Sequence, residues 1–199
     1  MTAPIHTLRN KHPAARCCIV GMGPTLLTLT AASFGPNDVV LALNHAIIHV
    51  EQIPLTIPVY SMQKDCFCVR PNRHPLIVHE LEGEHELGAE NANSPDYEPR
   101  YMFNNPEDFG LEWNRPSVVT AVKVTELLGC TSVKLLACDA LSTGDCRRVQ
   151  FTPDGTTLDD DWRGYLAPRA KLQELEESIP IPIDWNHPSP HPESRGDGY

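Results

Sequence analysis

The chain has 199 residues, of which 41% are apolar, 21% charged and 7% aromatic. That supports one globular domain with extensions and excludes wholesale disorder. Acids outnumber bases 26 to 16, a net charge of -10, which disfavours nucleic acid as a partner because phosphate backbones need a basic surface. No apolar run approaches the ~18 residues needed to span a bilayer. The opening MTAPIHTLRNKHPAAR has no apolar core of the signal-peptide kind. A cytoplasmic protein without membrane contact is therefore expected.

Residues 1–14 read as a flexible polar arm. CCIV (Cys17 to Val20) is a short apolar run stopped by Gly21 and reads as a buried strand. LLTLTAAS follows and ends at Gly35, which reads as a helix with a glycine stop. VVLAL (Val39 to Leu43) and PVYSM (Pro58 to Met62) are further strands, and Leu76-Ile77-Val78 is a short fourth. Between Leu76 and Glu112 stand ten acids and one base, Arg100. This stretch has no sustained period, so 79–113 is expected to be an acidic insertion that closes over the domain. Ser117 to Leu128 is an apolar-rich helix with Gly129 at its end, and Val133 to Cys138 is the next strand. Pro168 to Glu177 has the spacing of an amphipathic helix. Ile179 to Trp185 fits an edge strand, since its prolines cannot serve a central ladder. From Asn186 to Tyr199 the chain lacks core-forming residues and reads as a flexible tail.

Continuous apolar strands alternating with helices predict an α/β fold. The expected sheet is open, mostly parallel and Rossmann-like, covered by helices on both faces, within a single domain over residues 15–185. Such folds bind ligands beyond the carboxyl ends of their strands, and that rule selects the candidate residues. Gly21-Met22-Gly23-Pro24-Thr25 follows the first strand. Two glycines permit close backbone approach, and Pro24 and Thr25 open a helix whose N–H groups favour an anion. It is neither the six-position dinucleotide fingerprint nor a P-loop, and a plain strand-to-helix turn explains it nearly as well. Asn44 ends the second strand, where its amide offers a donor and an acceptor to a base or sugar. His45 and His49 follow, four apart.

Asp65 lies just past the third strand, placed to hold a hydroxyl, a metal or a proton. Asn114, Arg115 and Ser117 precede or open the buried helix. Ser117 is a natural cap, and the Arg beside it makes the helix start a second anion site. Asp139 follows the last buried strand as a loop cap or a ribose ligand. Asp159-Asp160-Asp161 contains the Asp-x-Asp spacing of metal-dependent sugar transferases, but it follows a turn-rich stretch. Of the seven cysteines, Cys17, Cys18, Cys130 and Cys138 read as small hydrophobes. Cys66 and Cys68 are the only close pair, and the two further ligands a zinc site needs are not evident.

In this order, IVGMGPTL, VVLALN, a strand ending at Asp65 and RPSVVTAVKVTELLGCTSVKLLACDAL resemble a Rossmann-like superfamily. It contains bacterial sialyltransferase-like proteins and pterin diphosphokinase-like proteins often encoded in sugar loci and phages. The resemblance covers about residues 16–141 and rests on order and spacing. It implies a nucleotide at the strand ends, with Gly21, Gly23 and Thr25 facing phosphate and Asn44 touching base or ribose. Ser117 would bind from the other side, and Asp139 would support the ribose or its loop. The chain departs from the family at the general base. Those sialyltransferases place a His after the Asp-ended strand, and residues 140–166 contain none. Asp65 or His45 is left as the base.

The expected function is thus a nucleotide-dependent transferase, glycosyltransferase-like, with a nucleotide sugar as donor. Displacement at the anomeric carbon would send the nucleotide phosphate into the field of a helix start, aided by Arg115. An ATP-dependent diphosphokinase, with a divalent metal held by Asp65 and Asp139, and a non-catalytic nucleotide- or protein-binding module are the alternatives.

Overall fold

A computed structural model describes residues 2–63, 74–79, 100–103, 117–142, 144–145, 147–152, 155–159 and 181–184. Among them ten strands form: β1 (Thr2–Pro4), β2 (Arg16–Val20), β3 (Asp38–Leu43), β4 (Val59–Gln63), β5 (Leu76–His79), β6 (Arg100–Phe103), β7 (Ser132–Leu136), β8 (Arg148–Thr152), β9 (Gly155–Asp159) and β10 (Ile183–Asp184). Eight of these make one sheet in the order β1-β6-β5-β4-β3-β2-β7-β10. Every neighbouring pair in it is parallel. The remaining two, β8 and β9, form an antiparallel hairpin. The α-helices are α1 (Ala46–Val50), α2 (Ser117–Leu127) and α3 (Asp139–Ser142). This is the expected open α/β sheet of the Rossmann-like kind.

The sheet is buried on both faces because its central strands are mostly apolar on both of their sides, as parallel strands require, with Arg16 and Asp38 at the amino ends of β2 and β3 and Lys134 in β7 as charged exceptions. On one face Cys17, Ile19, Leu41, Met62, Ile77 and Leu135 pack under α2 through Val118, Ala121, Val122 and Val124. On the other, Cys18, Val20, Val40, Ala42 and Leu136 pack with Leu26, α1 and Val149 of the hairpin. The end of α2 follows its sequence signal. Gly129 takes φ +79, its N–H bonds to the Glu126 carbonyl, and the Cys130 N–H reaches back to Thr125. That pattern closes a helix at a left-handed residue, where glycine is least strained.

Four expectations change. The segment after β2 is not an α-helix but two single 3₁₀ turns, Pro24–Thr28 and Ala31–Ser33. Its hydroxyls compete for the backbone: Thr28 bonds the Thr25 carbonyl, and Thr30 and Ser33 cap the second turn reciprocally. Residues 2–14 are not a free arm. Thr2–Pro4 pairs with β6, Ile5 and Leu8 are buried, and the Asn10 and His12 N–H groups bond the Leu127 and Leu128 carbonyls. Third, Arg100–Phe103 lies inside the expected insertion, yet it forms strand β6 between β5 and β1. Finally, the β8–β9 hairpin has no counterpart among the expected elements. The expected helix at 168–177, the tail and most of the acidic stretch fall outside the described residues. Ile183–Asp184 does sit at the sheet edge beside β7.

Arg16 and Asp38 fasten the amino ends of β2 and β3. Two guanidinium nitrogens reach the two carboxylate oxygens at 3.0 and 2.7 Å. The Gly35 N–H and the Cys18 thiol donate to the same carboxylate. Burial pushes the Asp38 carboxyl up, but Arg16 and these donors outweigh it and hold the group below its ordinary range.

Candidate functional site

From β2 the chain builds the sheet outward through β3, β4, β5 and β6, then returns through α2 to lay β7 on the other side of β2. The strand order reverses between β2 and β7, so the carboxyl ends of these two strands flank the switch-point crevice, where such folds hold ligands. Helix α2 reaches the same edge. Its C-terminal carbonyls meet Asn10 and His12, just before the amino end of β2. Eleven residues at about 1.5 Å each carry it back across the strands, so its N-terminus and Ser117 stand at the carboxyl edge.

Asn44 ends β3 in the left-handed region, φ +49. That conformation is tolerated by Asn better than by most residues. Its N–H is bonded to the Met62 carbonyl at 2.9 Å, which leaves the half-buried side chain at the strand end. His45, also half-buried, occupies the cap position of α1 but makes no side-chain capping bond there. His49 turns aside to the Leu29 carbonyl, 3.4 Å from Nε2. Among the described residues no three His, Cys, Asp or Glu side chains gather as a metal site. Asp65, Asn114, Arg115, the Cys66/Cys68 pair and the Arg115 side of the anion site lie outside the described residues. Of the Asp159–Asp161 run only the backbone of Asp159, the last residue of β9, is described.

The glycine turn meets a partner from the far side of the sequence. Asp139, only 2% exposed, accepts the Thr25 N–H at 2.9 Å and the Thr25 hydroxyl at 2.8 Å. The carboxylate therefore sits at the start of the first 3₁₀ turn, the position sequence reasoning assigns to a phosphate. The Gly21 and Gly23 N–H groups bond the Leu136 and Ala137 carbonyls, both at 2.8 Å. Each glycine is required by this docking. A Cβ on Gly21 would stand 2.5 Å from the Ala137 carbonyl oxygen and 2.9 Å from Cys138 Sγ, and one on Gly23 would overlap the Asp139 carboxylate. The turn after β2 thus locks to the turn after β7, and its N–H groups at Gly21, Gly23 and Thr25 are engaged within the protein. Asp139 is bound inward, in the manner of a cap.

Two participants have no signal in the sequence. Ala137 is left-handed, φ +50, a conformation that costs an alanine about 1–2 kcal/mol. It is held there by the Gly23 N–H on its carbonyl. The hairpin docks on the same turn, with the Val149 N–H 2.6 Å from the Met22 carbonyl. Burial lifts the Cys138 thiol beside this junction to about 12, with the Asp139 charge adding to the effect. A thiol so shifted stays protonated near neutral pH.

No protein-family model, curated protein or solved structure matches the chain. Among the described residues no helix is long and apolar enough to cross a membrane.

Proposed function

We propose that this protein is a nucleotide-dependent transferase, glycosyltransferase-like, that binds the nucleotide of a nucleotide sugar at the carboxyl edge of its sheet. The observation that carries this reading is that Asn44, at the end of β3, and the Ser117 end of α2 lie at the same carboxyl edge of the sheet, beside the β2–β7 switch point. The locked glycine turn moves the phosphate toward the start of α2, an eleven-residue helix whose dipole favours an anion at that end. Asn44 meets the base or ribose. Asp139 supports the site from below by holding the turn, and Asp65 or His45 deprotonates the acceptor hydroxyl.

Calorimetry against nucleoside mono- and diphosphates, nucleotide sugars and ATP tests the reading. One of them binds, and Asn44→Ala weakens it about tenfold, the ~1.4 kcal/mol of one well-made hydrogen bond. If no nucleotide binds the intact chain, the reading fails. Turnover then assigns the base. Asp65→Asn lowers it by about two orders of magnitude, within the range for a lost general base, with little change in affinity. Full activity in Asp65→Asn with loss in His45→Ala transfers the role to His45.

One observation favours a second reading. The engaged N–H groups of the glycine turn also suit a non-catalytic module that binds a nucleotide or protein and turns nothing over. The diphosphokinase alternative needs ATP, a divalent ion and a carboxylate free to ligate it. The inward bond of Asp139 to Thr25 weighs against it, and activity that survives chelation removes it.

A further inference from the structure

The first sixteen residues carry Arg9, Lys11, Arg16, His6 and His12 and no acid, in a chain of net charge -10. Thr2–Pro4 pairs along β6, and Asn10 to His12 come to the amino edge of the sheet, opposite the candidate site, beside the end of α2. There the His12 Nε2 lies 2.7 Å from the Tyr60 hydroxyl of β4, and the two rings meet edge-on at 5.6 Å. Lys11 donates to the Tyr101 hydroxyl of β6 at 3.1 Å and lies 5.9 and 5.4 Å from the Tyr60 and Tyr101 ring centroids. Tyr60 is 3% exposed. The titratable groups facing His12 are therefore Lys11 on its own segment, Tyr60 on β4 and Tyr101 on β6. From α2 it meets a backbone carbonyl, that of Leu128. No carboxylate bonds His12 or Lys11 among the described residues.

We propose that residues 2–15 form a pH-gated latch: they stay docked while the His12 ring is neutral against Tyr60, and protonation of that ring releases them from β4, β6 and the end of α2. A neutral ring protonated at Nδ1 accepts the Tyr60 O–H at Nε2. A second proton turns Nε2 into a donor, and the buried phenol proton loses its acceptor. The new charge also stands beside the Lys11 ammonium, with no carboxylate among the described residues bonded to either group. Burial, then Lys11, already holds His12 below its usual 6.5. A base whose folded value is depressed binds more protons once released, so docking is fully stable above 6.5 and is lost as pH falls through the lower, docked value. Release opens the edge of β6 and the seats of Ile5 and Leu8 while the β2–β3–β7 centre stays paired.

The test follows the His12 ring by NMR in the intact chain, together with amide exchange of residues 2–15 between about pH 7 and pH 5, corrected for intrinsic rates. His12 titrates below 6.5, protection of residues 2–12 falls at least tenfold, and β2, β3 and β7 keep theirs. In His12→Gln, which keeps a neutral group for the Tyr60 hydroxyl, protection is independent of pH in this window. In Tyr60→Phe, His12 titrates closer to 6.5. A His12 that titrates at or above 6.5, arm protection that does not change, or an equal loss in His12→Gln overturns the latch. Should His12→Gln fail to fold, the titration and exchange of the unaltered chain decide alone.

Discussion

The contact between the glycine turn and Asp139 can be tested by adding one methyl. A Cβ on Gly23 would overlap the Asp139 carboxylate, with its Cγ at 2.7 Å and its Cβ at 2.8 Å. Asp139 has nowhere to retreat without giving up Thr25, since it is buried and bonded to the N–H and hydroxyl of that residue. Hydrogen bonds to a charged group contribute about 1.5–3 kcal/mol each, and overpacking costs about 1–3 kcal/mol. Losing one such bond with moderate overpacking puts Gly23→Ala at about 3–5 kcal/mol of destabilisation, a large share of a typical domain's 5–15 kcal/mol. Urea denaturation measures it, read as a lower midpoint at unchanged slope. Gly144→Ala is the control: it has φ +78 and open space around it, so it costs about 1–2 kcal/mol for backbone strain alone. The decisive measurement is a double-mutant cycle with Asp139→Gly. Glycine is the right partner because the Asp139 Cβ itself stands too close to the new methyl. In that background Gly23→Ala should cost no more than about 1 kcal/mol, a coupling of at least 2 kcal/mol. Equal costs in both backgrounds would refute the claim that Asp139 makes the glycine necessary.

Ala137→Gly should stabilise the fold by about 0.5–1 kcal/mol, because relief of the left-handed strain exceeds the entropic cost of glycine; a thermal melt displaced downward would contradict it. Arg16→Met should destabilise by about 2 kcal/mol, since it leaves the 5%-exposed Asp38 carboxylate without its cation. Because Asp38 titrates below its ordinary 3.8 in the folded chain, its contribution is full above that value and lost as pH falls through the folded one. Asp38→Asn should accordingly flatten the acid limb of the stability curve below about pH 4. Cys18 and Cys138, both pushed up to about 12 by burial, should resist alkylation near pH 8 until the protein is unfolded, as counted by mass spectrometry.

The centre of the fold was legible because parallel strands covered on both faces are written as nearly continuous apolar runs. CCIV, VVLAL and VKLLAC became β2, β3 and β7. Strands β1 and β6 carry no such run. Thr-Ala-Pro is a strand because it pairs with β6 nearly a hundred residues away, and Arg-Tyr-Met-Phe because it lies between β1 and β5, long-range causes that local pattern does not contain. The carboxyl edge that carries the candidate residues was legible too, because glycines and a polar residue mark the strand ends there. What the glycine turn does there was not. Whether its N–H groups are open depends on the Leu136 and Ala137 carbonyls and on Asp139, 114 residues from Thr25, and local sequence reads the same in either case. The 3₁₀ turns were missed because leucines at helical spacing outvoted the hydroxyls between them.

The position of β7 also bears on how the chain is made. Strand β2 pairs with β3 on one side and with β7 on the other, and its register there joins Arg16 to Ser132. During synthesis β2, β3 and β4 emerge early and can assemble, yet one full edge of β2 has no partner until Leu136 has left the ribosome. For that interval an apolar strand presents a row of unmatched N–H and C=O groups, the template on which foreign strands add. At roughly 5–20 residues per second the exposure lasts several seconds. A nascent chain stalled before β7 should therefore depend on holding chaperones far more than the finished one.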